Sequence, residues 1–209
     1  MNIALSREAV SLSRVENPGV SIPPELFGLP IRQTVLVLLV SPSCEHLLVT
    51  RHRDSVTDGR ANWSPIQGEK EKSEDIFETA RRLIKQEVGL SLMVPKRPDH
   101  DGYLGSHLRP LSPSHKKYDQ YVASYYHVVL AQARCHEFKI PPKSPLSDAK
   151  WIHARGLTRL WPGLNMSLEK SRIIFQGLRF AVDRGDLQHS KPWKGAVHDL
   201  IEYARLLAL

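Results

Sequence analysis

The sequence predicts an α/β (α+β) fold, in which a mixed β-sheet packs with a central helix and is followed by a C-terminal helical extension. Two apolar runs rich in β-branched or aromatic residues, Arg32–Val40 and Tyr121–Leu130, have the composition of strands. Between them, Ser73–Val88 repeats apolar residues every four positions, as the buried face of a helix does. Two more helical patterns follow residue 160. Strands and helices in this order favour a sheet covered by helices.

The composition indicates a folded globular protein. Hydrophobic residues make up 41% of the 209 residues and charged residues 24%, which is a balance typical of folded chains rather than disordered ones. The longest apolar run, Thr34–Val40, is too short to cross a bilayer, and Met1–Phe27 lacks the apolar centre of a signal peptide. Cys44 and Cys135 do not make a disulfide framework. We therefore expect a cytoplasmic protein that does not enter a membrane.

The net charge leaves the choice of partner open. A formal charge of +7 favours phosphate-bearing ligands such as nucleotides or RNA. The lysines and arginines are spread along the chain, however, and many basic proteins bind no polymer. The sequence also leaves open whether the chain forms an oligomer.

The first strands are predicted to form a hairpin. Residues 1–25 mix polar, charged and proline residues without periodicity, and we expect a flexible arm there. Arg32–Val40 is predicted as a buried strand, Ser41–Ser43 as a turn and His46–Arg51 as the partner strand. Asp54–Asn62 is predicted as a polar loop, because it contains the turn signal Asp-Gly.

The helix at Ser73–Val88 carries its own start and stop signals. Ser73 is predicted as the N-cap, and the acidic residues after it suit the positive end of the helix dipole. Gly89 is predicted to end the helix with a positive φ. The buried stripe consists of Ile76, Ala80, Ile84 and Val88.

The second half of the chain changes from strands to helices. Asp101–Leu108 and Tyr121–Leu130 are predicted strands, Pro141–Pro145 a loop, and Lys150–Ile152 a short final strand. The predicted helices are Ser167–Asp183 and Ala196–Leu207, punctuated by Gly185 and Pro192.

One segment, Trp63–Leu90, has residues at fixed spacing that indicate chemistry. Gly68 is followed by five residues and then Glu74, and seven further residues lead to Arg82. The remaining matching positions are Ile84, Glu87, Gly89 and Leu90. This segment resembles the Nudix box, in which Gly, Glu and an Arg-Glu-aliphatic-x-Glu-Glu-x-Gly-aliphatic run have the same spacing. The tryptophan and the Gln-Gly pair that precede it are similar to those of bacterial RNA 5′-pyrophosphohydrolases of that family.

The resemblance implies a fold and a reaction. The fold is a Nudix-type α/β/α sandwich over residues 26–158, between the arm 1–25 and a helical extension 159–209. The reaction is hydrolysis of a phosphoanhydride bond in a nucleoside-diphosphate derivative, which is either a small nucleotide or an RNA 5′ end. Because the diphosphate is densely anionic, this chemistry uses Mg²⁺ or Mn²⁺ with oxygen ligands.

The resemblance also assigns roles to residues. Glu87 is expected to hold the metal ion, with the Gly68 carbonyl and the Gln86 amide oxygen as further ligands, and Arg82 is expected to orient the acid. Positions 83, 86 and 87 share a helix face, and in the family all three are glutamates. Here Leu83 and Gln86 replace two of them, which removes about two negative charges from the metal site.

Two functions follow from this departure. In the first, the protein still hydrolyses its substrate with weakened or altered activity, and Glu69 and Glu71 in the loop substitute for the missing acids. In the second, the fold binds a nucleotide, RNA or a protein partner without cleaving it. Glu87 and Arg82 are then an ordinary structural pair, and Leu83 extends the apolar stripe.

Further candidates are basic or aromatic. Arg51 and Arg53 follow the second strand and are predicted to contact phosphates, unless they are only a solvated strand end. Lys117 is predicted to meet phosphate or to lie in an exposed basic turn. Tyr125 is predicted to stack on a base or to pack in the core.

Overall fold

A computed structural model describes six stretches of the chain, and the structural statements below concern these residues. The described residues are 28–57, 60–90, 92–93, 102–110, 121–187 and 191–206. The predicted arm at 1–25 and the candidate Lys117 lie outside them.

The described strands form one mixed sheet. Its members are β1 (Ile31–Val40), β2 (His46–Thr57), β3 (Arg60–Ser64), β4 (Ile66–Glu69), β5 (Leu92–Met93), β6 (Tyr103–Pro110), β7 (Ala123–Ala133) and β8 (Leu146–His153). Five of them follow the order β3-β2-β1-β7-β5, while β8 pairs with β2, β4 with β1 and β6 with β7. Only the β1–β7 pair is parallel among these described pairings, and the others are antiparallel.

Helices cover both faces of the sheet. Those described are α1 (Ile76–Val88), α2 (Ala154–Leu160), α3 (Leu168–Arg184) and α4 (Lys191–Leu206), with a 3₁₀ turn at Trp161–Leu164. The face under α1 contributes a cluster that includes Val35, Val37, Leu39, Ile84 and Val129. The opposite face and α2–α4 contribute a second cluster that includes Leu36, Leu38, Val128, Leu178 and Trp193. Helices on both faces of a mixed sheet confirm the predicted fold class.

The central strand β1 explains why both clusters form. Its side chains point alternately to the two faces, and every residue from Val35 to Val40 is buried. A continuous apolar run is the pattern of a strand covered on both sides. No helix among the described residues is both long enough and apolar enough to cross a membrane.

The predicted polar loop in the first half of the chain is wrong at both of its ends. The predicted loop Asp54–Asn62 is largely strand, since β2 continues to Thr57 and β3 begins at Arg60, with Val56 opposite Ala61. Its polar residues concealed the hairpin, because the expected strand signal was hydrophobic. The Asp-Gly pair at 58–59 lies outside the described residues.

The predicted N-cap of α1 is also wrong. The helix begins at Ile76, and Asp75 is the N-cap. The Asp75 carboxylate accepts a hydrogen bond from the Glu78 backbone N–H at 2.7 Å, and the Glu78 carboxylate accepts one from the Asp75 N–H at 2.8 Å. This reciprocal capping box satisfies two helix-end donors, which a cap at Ser73 would not. Gly89 ends the helix at φ +69°, as predicted.

The C-terminal helices differ from the prediction at their starts. Helix α3 was predicted at Ser167–Asp183 and is observed at Leu168–Arg184, with Ser167 as its N-cap and Gly185 as its C-cap. Helix α4 begins at Lys191 rather than at residue 196, so Pro192 lies in its first turn and does not precede it. Proline is tolerated there because the first turn has no intrahelical partner for its missing N–H.

Candidate functional site

The loop between β4 and α1 is fixed at its start by the sheet. Gly68 pairs with Val35 and Glu69 with Thr34, so the first residues of the motif are part of the β1–β4 ladder. The backbone N–H of Lys70 continues this contact by donating to the Gln33 carbonyl at 3.0 Å. The start of the loop is therefore fixed on the sheet, and the loop runs from there to α1.

Arg82 ties this loop to the helix. Its guanidinium donates to both carboxylate oxygens of Glu74, at 2.6 and 2.8 Å, and to the Glu69 carbonyl at 3.0 Å. It also lies 3.5 Å from a Glu71 carboxylate oxygen and donates to the Gln86 amide oxygen at 3.3 Å. A planar guanidinium suits this arrangement, because its donors form a fixed fork.

Glu74 is an ionised partner over a wide pH range. The two hydrogen bonds from Arg82 are the main cause that lowers the pKa of Glu74 to about 2, and Thr79 Oγ1 donates a further bond at 2.8 Å. The side chains of Glu74 and Arg82 are only 17% and 22% exposed. The motif positions Gly68, Glu74 and Arg82 therefore form a structural unit that closes the loop.

We expect Glu74→Gln to lower the free energy of unfolding at pH 7 by about 1.5 kcal/mol, because it removes charge from a partly exposed bidentate pair. The pKa of Glu74 is depressed in the folded state, so its contribution is present above about pH 4.5 and is lost as pH falls toward 2. Urea unfolding of the wild-type chain and of Glu74→Gln at pH 7 and pH 3 measures this effect. A difference in stability between the two proteins that is equal at both pH values would contradict the prediction.

Glu87 is buried at the end of α1. Its side chain is 3% exposed, and its Oε2 has no hydrogen-bond partner among the described residues. Burial raises the pKa of Glu87 to about 8. The Glu87 backbone carbonyl accepts a hydrogen bond from Ser144 Oγ at 2.9 Å, which fixes this last turn against the loop before β8. At neutral pH the carboxyl is therefore mostly protonated and uncharged.

Leu83 covers Gly68. A β-carbon built on Gly68 would lie 2.3 Å from Leu83 Cδ2, so the leucine side chain is in contact with the glycine backbone. Leu83 is buried and belongs to the cluster under α1. An apolar side chain thus fills the space beside the glycine at which the motif predicts a carboxylate.

The donor set around Glu87 does not fit a preformed divalent-metal centre. Mg²⁺ and Mn²⁺ need several oxygen ligands with negative charge nearby. Glu87 supplies one carboxyl, Leu83 supplies no donor, and the exposed Gln86 is bonded to Arg82. Within the described stretches, no group of three or more His, Cys, Asp or Glu residues could hold a metal ion.

The two loop acids predicted as substitutes have other partners. The Glu69 carboxylate accepts hydrogen bonds from Arg32 Nε at 3.3 Å and from the Tyr121 hydroxyl at 2.9 Å. Glu71 is exposed and paired with Arg82. The predicted contact between Arg82 and Glu87 is likewise replaced, since the described hydrogen bonds of Arg82 reach Glu74, Glu69 and Gln86.

Arg51 and Arg53 lie along β8. Arg51 donates to Ser147 Oγ at 3.1 Å and lies 3.5 Å from an Asp148 carboxylate oxygen. Arg53 donates to the Leu146 carbonyl at 3.1 Å. Arg51 also pairs with Trp63 across the β2–β3 ladder, and its guanidinium carbon lies 5.3 Å from the centre of the Trp63 ring. The predicted contact of both arginines with phosphate stays a prediction.

Tyr125 packs inside the fold. It is 5% exposed, its hydroxyl is hydrogen-bonded to Ser106 Oγ at 2.7 Å, and its ring lies 4.9 Å from that of His127. This surrounding favours the packing alternative over base stacking. Arg32 and Tyr121 were not predicted from the sequence as partners of Glu69. Their proximity to Glu69 depends on the register of the strands, which the sequence alone does not give.

Known proteins share this arrangement of elements. A protein-family model described as NUDIX domain matches residues 30–168. The chain is similar to the structure of an ADP compounds hydrolase, with 18% identity, 74% of this chain and 75% of that chain covered, and a TM-score of 0.53. It is also similar to the MutT protein from Methanosarcina mazei Go1, with 14% identity, coverage of 75% and 97%, and a TM-score of 0.51.

A third similar structure is a NUDIX hydrolase from Nitrosomonas europaea, with 13% identity, coverage of 73% and 88%, and a TM-score of 0.51. No curated protein matches the sequence. At these identities the structural likenesses establish the fold, and the matched family model spans the sheet, α1 and α2.

Proposed function

Because the chain belongs to the Nudix family, we propose that it binds a nucleoside-diphosphate derivative without cleaving it through the family's metal chemistry. Nudix hydrolases generally depend on a divalent metal ion. The observation that carries the proposal is the contact of Leu83 with Gly68. It fills the position of one expected metal ligand with an apolar side chain, beside a Glu87 that is buried.

The ligand class is inferred from the family and from charge. One similar structure is that of an ADP compounds hydrolase, which supports an adenosine diphosphate derivative as the first ligand to test. The net charge of +7 suits such an anion. An RNA 5′ end is the next ligand to test, and the oligomeric state and a cytoplasmic location remain predictions.

A second candidate function is slow hydrolysis, and one observation favours it. Glu87 Oε2 has no hydrogen-bond partner within the described stretches of the chain, so this oxygen suits a cation. Under this alternative, Mn²⁺-dependent cleavage persists at a reduced rate and is lost in Glu87→Gln. Loss of a catalytic carboxylate typically costs about 10²–10⁴-fold in rate.

Restoring the two missing carboxylates tests the proposal. We expect Leu83→Glu/Gln86→Glu to gain Mn²⁺-dependent stabilisation that the wild-type chain lacks, because acidic side chains then share one helix face with Glu87. At an Mn²⁺ concentration about 100 times its Kd, the gain is about 2.7 kcal/mol. Urea unfolding with and without Mn²⁺ measures it, and Leu83→Gln/Gln86→Glu is the control with one carboxylate fewer.

Assays of binding and of cleavage on the wild-type chain and Glu87→Gln separate the two functions. ADP-ribose binding is followed by calorimetry, and its cleavage by the release of AMP with Mn²⁺ present. We expect the wild-type chain to bind ADP-ribose and to release no AMP. AMP release that is lost in Glu87→Gln would establish the second candidate and overturn the first.

A further inference from the structure

A row of polar and charged residues crosses three strands on the face of the sheet that α3 covers. In β7, Ser124 lies opposite Arg32 of β1 and opposite Arg109 of β6. Residues directly opposite each other on neighbouring strands point to the same face. Tyr126, two residues along β7, belongs to the cluster under the C-terminal helices, which identifies that face. Two arginines therefore flank one serine.

Two hydroxyls in this region are buried without a partner. Ser124 is 0% exposed and Thr34, two residues after Arg32 on the same face, is 2% exposed. Neither Ser124 Oγ nor Thr34 Oγ1 makes a hydrogen bond to any residue that the structure describes. The Gln67 amide oxygen, on the neighbouring β4, is also buried and unbonded. Buried polar groups without partners cost free energy, so such a group often indicates a missing ligand or water.

The first turn of α3 adds a third positive charge. Ser167 caps the helix and accepts the Lys170 backbone N–H, and the helix packs against β6 and β7, the strands of Arg109 and Ser124. Burial, followed by the repulsion from these two arginines, lowers the pKa of Lys170 to about 8. Arg32 is already paired with Glu69 at 3.3 Å, and Arg109 also has contacts of its own. Three cations nevertheless share one partly buried region.

We propose that Arg32, Arg109 and Lys170 form a binding site for a phosphate group of a small molecule, with the Ser124 and Thr34 hydroxyls at its base. A phosphate carries up to two negative charges and several acceptor oxygens, which suits three cationic donors and two hydroxyl donors. The positive end of the α3 helix dipole favours the same charge. This site does not depend on cleavage at the Nudix box.

Calorimetric titration with inorganic phosphate at pH 7 and fixed ionic strength tests the site. We expect Lys170→Gln to weaken phosphate binding by about ten- to a hundred-fold, the effect of losing one charged hydrogen bond. Arg179→Gln is the matched control, because it removes one positive charge from an exposed position of the same helix. Equal phosphate affinity of the two variants, or no binding to the wild-type chain, would overturn the proposal.

Two further measurements exclude a merely structural role. Ser124→Ala removes a hydroxyl that is unbonded in the described part of the structure, so we expect weaker phosphate binding with unchanged or higher stability. Without phosphate, Lys170→Gln should be at least as stable as the wild-type chain, because it relieves like-charge repulsion. A less stable Lys170→Gln with unchanged phosphate affinity would contradict the proposal. Comparing AMP with adenosine then shows whether an organic phosphate ester is accepted as well as the free ion.

Discussion

Glu87→Gln should make the protein more stable than the wild-type chain at high pH, with little difference at pH 5. The folded-state pKa of Glu87, about 8, lies above its ordinary value of 4.5 because burial disfavours the charged carboxylate. The folded protein therefore holds a proton that the unfolded chain releases. Stability from this group is complete below about pH 4.5 and is lost as pH rises through 8.

The expected size of this effect is large for one side chain. The shift from 4.5 to about 8 corresponds to a loss on the order of 4 kcal/mol between pH 5 and pH 9. A domain is stable by only about 5–15 kcal/mol, so the wild-type chain should be markedly weaker at pH 9. The glutamine variant cannot ionise and escapes this loss.

Urea unfolding at pH 5, 7 and 9 measures the effect in both proteins, with EDTA present to keep divalent cations away from Glu87. The difference between the two curves isolates this group, because all other titrating residues are shared. Glu137→Gln, at an exposed position, serves as the control. Parallel pH profiles for the wild-type chain and Glu87→Gln would show that the carboxyl is not held in a desolvated position.

Trp193→Ala should lower the free energy of unfolding by about 3–5 kcal/mol. Trp193, in α4, is 0% exposed, and its indole N–H donates to the Cys44 carbonyl in the turn between β1 and β2. It packs in the same cluster as Leu38 of the central strand. Removing the ring leaves a cavity at the contact between the C-terminal helices and the sheet.

This prediction also tests how the C-terminal extension folds. The sequence predicted a domain at 26–158 and an extension at 159–209, and we propose that the two unfold together because they share one cluster. We expect a single transition by both tryptophan fluorescence and circular dichroism, at a lower urea concentration than for the wild-type chain. Phe180→Ala, at an exposed position of α3, should change the midpoint little. Two separate transitions would contradict a shared core.

Local patterns were sufficient for much of the fold. The stripe at Ile76, Ala80, Ile84 and Val88 predicted which face of α1 is packed against the sheet, and Gly89 predicted where that helix ends. Such features depend on residues within one or two turns of each other. The box spacing similarly predicted the loop and helix of the motif, because it reflects a local arrangement.

Other features required three-dimensional contacts. In the sequence, Ser73 and Asp75 are both suitable N-cap residues. Asp75 is the N-cap in the structure, because the Glu78 side chain accepts a hydrogen bond from its backbone N–H. The burial of Glu87 and the contact of Leu83 with Gly68 arise where α1 meets β4. Residues 32, 109 and 124 become neighbours only through the register of three strands. The last two features join residues that are far apart in the sequence, and the first depends on a side-chain conformation that the sequence does not give.

The contact between Leu83 and Gly68 changes how a glycine in this motif is interpreted. A methyl group at position 68 would displace Leu83 within a packed cluster, so glycine is required there for steric reasons alone. Its presence is then no sign of turnover. Glycine at position 68 is therefore expected under either proposed function, because the packing of Leu83 accounts for it without reference to chemistry.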